Sequence, residues 1–273
     1  MCDTCGCSAK SPAKLTLLAT DKPDVEAHDG SGTPAGSVAD KPALSIQSVA
    51  VLEQDKRLSL SQSLLMANDR VAAHNREHFL RQGIVALNLI SAPGSGKTTL
   101  LEGTLTALAG RIPCAVIEGD QATSYDAERI NATGCPVVQV NTGAGCHLEA
   151  NMVHEACHAL DLQDGSLVFI ENVGNLVCPS MFDLGEACKV VLLSVTEGDD
   201  KPLKYPHIFR ASDIVIINKC DLLPYVNFQL DRCMEFIRQL NPTAQILTVT
   251  ATDPQSLQPW LDTLQQLRTR QSR

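Results

Sequence analysis

From residue 84 onward the chain alternates between two hydrophobic rhythms. Short β-prone apolar runs occupy residues 84–90, 114–117, 137–140, 167–170, 190–195, 214–217 and 246–249. Amphipathic stretches at 98–109, 148–160, 228–240 and 257–267 separate them. Strands apolar on both faces and alternating with helices predict βαβ units and a mostly parallel, doubly wound α/β sheet. Upstream, Leu60, Leu64, Val71, Phe79 and Leu80 recur among polar neighbours and predict a helix over 58–81. Residues 8–43 are Ala, Pro, Asp, Lys, Gly and Ser with little periodicity. Such a composition buries too little surface to offset chain entropy, so a flexible tether is expected there. The predicted organisation is a tip and tether over 1–44 and one α/β domain over 45–273.

Charge narrows the partners. A net charge of −9 carries neither a nucleic-acid footprint nor a polybasic membrane anchor. Apolar runs such as 190–195 are far too short to cross a bilayer. Eleven cysteines, odd in number and scattered, come without a secretory signal and fit a reducing, cytoplasmic setting.

Three of those thiols, Cys2, Cys5 and Cys7, stand beside the start of the chain. Thiolates suit zinc, Cu(I), iron–sulfur iron and nickel, and Gly6 lets Cys5 and Cys7 face one ion. The plain alternative is a set of unpartnered terminal cysteines; a disulfide is weaker still.

The segment Ser91-Ala92-Pro93-Gly94-Ser95-Gly96-Lys97-Thr98-Thr99 follows a predicted strand and opens a predicted helix, the setting of a Walker A loop. Gly94 and Gly96 let backbone N–H groups around Ser95 and Thr99 converge on phosphate oxygens at a helix N-terminus. Lys97 can reach β- and γ-phosphates, and the Thr98 hydroxyl can ligate Mg²⁺. Ser91 stands where the usual pattern has its first glycine. Asn218-Lys219-Cys220-Asp221 closes a later strand, where α/β sheets bind ligands. A carboxylate at Asp221 can accept from guanine N1–H and the 2-amino group, donors that adenine lacks there. The predicted nucleotide is GTP or GDP. Glu171, at another strand end, can act on Mg²⁺, and the Gly174 N–H can meet a γ-phosphate. Asp120 is either a second magnesium or water-orienting group or an ordinary loop carboxylate.

Cys146 and His147 sit in a glycine-rich loop after the run 137–140, and Cys178 lies seven residues beyond Glu171. The residues alone leave a metal site and buried structural thiols about equally open. His154, Cys157 and His158 share one helix face at i, i+3 and i+4. Without a carboxylate they read as an ordinary helix face. Cys114, Cys135, Cys188, Cys220 and Cys233 read as small core residues.

Taken together, Cys2-x-x-Cys5-Gly6-Cys7, the loop 91–99, Gly119 to Thr123, Gly145 to Glu149, Glu171 to Pro179 and Asn218 to Asp221 resemble the HypB family. These are nickel-binding GTPases of [NiFe]-hydrogenase maturation, with a SIMIBI-type P-loop NTPase domain. The resemblance covers the tip and residues from about 45 to the C-terminus. It implies catalytic roles for Lys97, Thr98, Asp120 and Glu171, and a nickel site at the cysteine tip. It further implies a nickel or zinc site at Cys146, His147 and Cys178, a nucleotide-favoured homodimer, a HypA-type nickel chaperone, and delivery to the hydrogenase large subunit. The residues 8–43 hold only His28, so a histidine-rich nickel store of the kind many relatives carry is not expected. Thr250-Ala251-Thr252 replaces the usual Ser-Ala-Lys type of guanine loop, though the Ala251 backbone can still face the base. Two other readings are a metal buffer with a regulatory nucleotide site, and a sibling metallochaperone serving urease or cobalamin enzymes. The cysteine tip speaks against the sibling.

Overall fold

The computed structural model describes residues 14–17, 46–120, 124–143 and 145–271, so the Cys2, Cys5 and Cys7 tip and residues 121–123 lie outside the described residues. The described residues form two compact units, 46–67 alone and the remainder together. The larger unit carries the sheet.

Its strands are β1 (Lys14–Leu17), β2 (Val85–Ser91), β3 (Cys114–Asp120), β4 (Val137–Asn141), β5 (Leu167–Glu171), β6 (Cys188–Ser194), β7 (Ile214–Asn218) and β8 (Gln245–Thr248). They lie in the order β1-β4-β3-β5-β2-β6-β7-β8. All pairings from β4 to β8 are parallel. Seven predicted runs thus became seven parallel strands.

The eighth strand is a correction. Lys14–Leu17, inside the segment expected as tether, pairs antiparallel with β4, with Leu15 opposite Val140. A four-residue run with Leu, Thr and Leu is β-prone, and the open edge of β4 offers it backbone donors and acceptors.

Helices cover both faces. The helices α2 (Lys97–Leu108), α3 (Tyr125–Asn131) and α8 (Gln258–Gln271) pack on one side. Leu100, Leu101, Ile130, Trp260 and Leu264 there meet Val85, Leu87 and Leu89 of β2. The opposite side holds the end of α1 (Ile46–Arg81) and α4 (Ala150–Ala159), whose Phe79, Val153 and Ala156 pack on Ala86, Ile117 and Ile170. Further along this side, α6 (Pro206–Ala211) and α7 (Leu230–Leu240) cover Val191, Leu193, Val215 and Ile217 with Phe209 and Ile237. Alternate residues of β2 thus serve opposite cores, the period of a strand buried on both faces. The remaining helix, α5 (Lys201–Lys204), is a single turn.

The helix α1 begins twelve residues before the predicted start at 58, because residues 46–57 supply good helix formers without a Pro or Gly break. Among the described residues no helix is long and apolar enough to cross a membrane. This is a doubly wound α/β sheet, and its crossovers change direction around β2, between β5 and β6. Clefts at such points bind ligands beyond the strand carboxyl ends.

Candidate functional site

The loop leaving β2 is shaped by two glycines in the left-handed region, Gly94 at φ 76° and Gly96 at φ 96°. At Gly96 the need is also steric, since a Cβ would stand 2.6 Å from Asn218 Nδ2. The loop curls over the start of α2, aiming backbone donors into an open cleft of ≈ 500 Å³. Lys97 Nζ donates to Ser91 Oγ at 3.0 Å. Ser91, standing where the usual pattern has its first glycine, therefore holds the lysine.

Across the cleft, Thr98 Oγ1 donates to Glu171 Oε1 at 2.8 Å. Glu171 Oε2 is buried without a hydrogen-bond partner, and so is Glu118 Oε2 on the adjacent strand. Burial, more than any neighbour, pushes Glu171 up to about 7. Burial followed by the charges of Glu171, Asp120 and Asp126 pushes Glu118 up to about 9, while Lys97 draws both back. A hydroxyl, an orphaned carboxylate oxygen and dry, like-charged carboxyls together fit an oxygen-ligated divalent cation such as Mg²⁺.

Asp120 ends β3 and lines the same cleft. So do Asp126 and Arg129 of α3, which the sequence reading missed. Arg129 is committed to acids: it donates to both Glu102 carboxylate oxygens at 3.2 and 2.5 Å and to Asp126 at 3.3 Å. It also donates to Thr99 Oγ1 at 3.2 Å, fixing α3 beside the phosphate loop.

Gly174 lies over the loop. A Cβ there would stand 3.1 Å from Pro93 Cγ and 3.2 Å from Pro93 Cα. Gly174→Ala is therefore expected to displace the loop at a cost of about 1–2 kcal/mol, an overpacking penalty. Fluorescent-GDP affinity should fall roughly tenfold with the fold intact; unchanged affinity would show that this close approach does not matter.

The strand end of β7 buckles the cleft from the other side. Asn218 Nδ2 donates to the Ser95 carbonyl at 2.9 Å, and Asn218 Oδ1 accepts from Ala251 N–H at 3.1 Å. Lys219 adopts φ 61°, and its Nζ donates to the Gly94 carbonyl at 2.7 Å. Asp221 is exposed, its N–H held by Thr250 Oγ1 at 3.2 Å. The Ala251 N–H is thus taken by Asn218.

The second constellation assembles as a triangle. The ligand atoms of Cys146, His147 and Cys178 lie within 4.8 Å of one another. Cys146 Sγ stands 3.6 Å from His147 Nδ1. The neighbouring Cys178 thiol, then burial, hold the Cys146 thiol above its ordinary range. Burial lowers His147, keeping a neutral ring; that ring stacks on Phe182 at 3.9 Å between centroids. His147 Nε2 is buried without a hydrogen-bond partner, and Glu149 Oε1 at 4.0 Å is too distant to be one. Two thiols and a neutral imidazole suit a soft or borderline ion. Of the other cysteines named above, Cys135, Cys188 and Cys233 are buried in the core, while Cys114 and Cys220 are half-buried against it, burial raising both thiols, that of Cys114 to about 11.

One segment joins the two constellations. Glu171 faces the phosphate cleft, while Cys178 opens a short 3-10 turn, Cys178–Ser180, in the thiol triangle. Between them Asn172 Oδ1 accepts from Leu148 N–H at 3.1 Å and from Val173 N–H at 3.0 Å. Its Nδ2 donates to Asn88 Oδ1 on β2 at 3.2 Å. Asn175 Nδ2 reaches the Cys146 carbonyl at 3.4 Å.

Residues 85–248 match the family model described as CobW/HypB/UreG, nucleotide-binding domain. The chain is 52% identical over 217 residues to the hydrogenase maturation factor HypB of Escherichia coli K12, covering 80% of this chain and 75% of that protein. It is 42% identical over 207 residues to the hydrogenase/urease maturation factor HypB of Helicobacter pylori J99, covering 74% and 85%. The solved structure of HypB from Helicobacter pylori in complex with nickel superposes with a TM-score of 0.72 at 42% identity, covering 75% of this chain and 96% of that one. HypB from Archaeoglobus fulgidus superposes with a TM-score of 0.70 at 37% identity, covering 75% and 100%.

Proposed function

Because the chain belongs to the CobW/HypB/UreG nucleotide-binding family, and within it to the HypB hydrogenase maturation factors, we propose that it is a nickel chaperone whose GTP hydrolysis gates nickel delivery to the [NiFe]-hydrogenase large subunit. In this reading the backbone of the loop 94–99 and Lys97 bind the β- and γ-phosphates of GTP. Thr98 and Glu171 hold Mg²⁺, which neutralises developing charge there. Asp120 helps orient the attacking water, Gly174 meets the γ-phosphate, and Asp221, seated by Asn218 and Lys219, reads guanine. Nickel enters at Cys2, Cys5 and Cys7, in the segment 1–44 whose Lys14–Leu17 strand joins the sheet of the domain that follows. Cys146, His147 and Cys178 hold nickel or zinc. GTP favours a homodimer, and a HypA-type chaperone takes the cargo onward in the cytoplasm.

The observation that carries this reading is the shared segment 171–178, with Glu171 in the phosphate cleft and Cys178 in the thiol triangle. A γ-phosphate that pulls on Gly174 pulls on Cys178 through the intervening residues. Reciprocally, an ion that fixes Cys178 biases the nucleotide site.

The test is a nickel titration of the full chain with Cys2, Cys5 and Cys7 changed to Ser, first with GDP and then with a non-hydrolysable GTP analogue. Coupling of about 1–3 kcal/mol should separate the two affinities by roughly 5- to 150-fold. Equal affinities would leave the triangle a static site and remove the gating step.

A further inference from the structure

The face of α4 that reads as an ordinary polar surface is completed by a neighbour. His154 and His158, one turn apart, lie against His74 and His78 at the same spacing on α1, so four of the seven histidines gather in one place. His154 Nε2 and His158 Nε2 stand 3.1 Å apart. The His74 ring meets the His154 ring edge-on at 5.2 Å between centroids. His78 is near enough for charge on His158 or His74 to lower it, after the larger effects of burial and Arg81. Cys157 is not part of this cluster; it packs against the hydrophobic core and burial pushes its thiol up to about 12.

The tautomer of His154 is set from below. Asn75 is buried, and its Nδ2 donates to the carbonyls of Ala150 at 2.8 Å and Leu184 at 3.1 Å. Its Oδ1 must therefore accept, and His154 Nδ1–H donates to it at 3.1 Å. The Nε2 lone pair is left facing outward, toward His158. An imidazole whose far nitrogen donates to a fixed carbonyl is the arrangement that orients a metal ligand. Burial and the other three histidines keep that ring neutral, with its lone pair turned to His158. Two nitrogens about 2.0–2.1 Å from one ion and 3.1 Å from each other subtend roughly 100° at it, between the octahedral and tetrahedral angles.

We propose that His154 and His158, joined by His74 or His78 once one of those side chains turns inward, form a second binding site of the folded domain for a borderline divalent metal ion, apart from the Cys146, His147 and Cys178 triangle. An ion between the two Nε2 atoms takes the place of the proton they otherwise share. His158 is exposed, so the site is open to ions from solvent. Four of the seven histidines thus stand on two packed helices, against the single His28 of the segment behind the tip. Nothing in this assignment depends on the nucleotide.

The probe is nickel(II) chloride, titrated calorimetrically into the full chain with Cys2, Cys5, Cys7, Cys146 and Cys178 changed to Ser. One nickel ion should still bind. Adding His158→Ala, or separately His154→Gln, should weaken it by roughly tenfold or more, as losing a ligand or its orienting partner does. Unchanged far-UV dichroism establishes that the variants remain folded. In the unsubstituted chain, nickel beyond the capacity of the thiol sites should protect His154 and His158 from diethylpyrocarbonate. Loss of all nickel binding with the five cysteines, affinity indifferent to His158→Ala, or modification indifferent to nickel would each overturn the assignment.

Discussion

Lys97→Ala is expected to reduce GTP hydrolysis by roughly 10²–10³-fold, the usual cost of removing a positioned charge from a developing anion. Two separate losses act together. The variant lacks the ammonium group that Ser91 Oγ holds at 3.0 Å in the cleft. It also lacks the cation that draws Glu171 and Glu118 toward ionisation. Without it Glu171, already raised to about 7, rises further and is a poorer ligand for Mg²⁺ at neutral pH. The hydrolysis defect should therefore shrink as pH rises through the raised value, because alkali restores the Glu171 carboxylate but not the lysine. Phosphate release measured from pH 6 to 9 separates the two losses. Nickel carried through Cys2, Cys5 and Cys7 should be retained, since no residue of the phosphate cleft belongs to that tip. A folded Lys97→Ala protein with normal turnover would remove the loop from the chemistry.

Much of this arrangement is legible in the chain before any coordinates, and the exceptions share a cause. The seven parallel strands stand out because each is apolar on both faces over four to seven residues. The phosphate loop and the Asn218 to Asp221 turn are contiguous, so their chemistry is readable at fixed spacing. By contrast, α3, α5 and α6 run seven, four and six residues, too short to show a 3.6-residue period. That hid Asp126 and Arg129, which sit at the phosphate cleft on α3. Glu118 was hidden otherwise: it follows the apolar run 114–117 and looks like a strand end, whereas β3 continues to Asp120 and buries it. Lys14–Leu17 is too short for its weak β-propensity to stand out, because an edge strand of four residues is defined by the partner it meets. The triangle of Cys146, His147 and Cys178 needed either the family resemblance or the fold, since its members come from two different strand ends. The histidine cluster shows the same limit. Its halves, His74 with His78 and His154 with His158, are each plain as a spacing of four, but only the packing of α1 on α4 makes them one group.

Base selection is the remaining large effect, and it turns on a single exposed side chain. Asp221 is the second residue of the short 3-10 turn Cys220–Tyr225, which directly follows Lys219. The turn is anchored at three points. Asn218 ties it to Ser95 and Ala251, Lys219 reaches Gly94, and Thr250 Oγ1 accepts the Asp221 N–H. A substitution at Asp221 that preserves shape leaves all of these in place, so its effect reports on the base alone. Guanine presents N1–H and a 2-amino group, two donors that a carboxylate accepts together. In Asp221→Asn one accepting oxygen becomes an amide donor facing the amino group, and charge assistance is lost. Hydrogen bonds to charged groups contribute about 1.5–3 kcal/mol each, and an exposed pair belongs at the lower end. The combined loss is about 3 kcal/mol, a roughly hundredfold weaker GTP complex. Xanthine keeps N1–H but carries an oxygen at position 2, which accepts from the new amide. Xanthosine triphosphate should therefore bind the variant more tightly than GTP and support its turnover, while wild type shows the reverse order. Competition between the two nucleotides on each protein reads the switch directly. If Asp221→Asn keeps its preference for GTP, the base is recognised elsewhere, and Asp221 only shapes the turn.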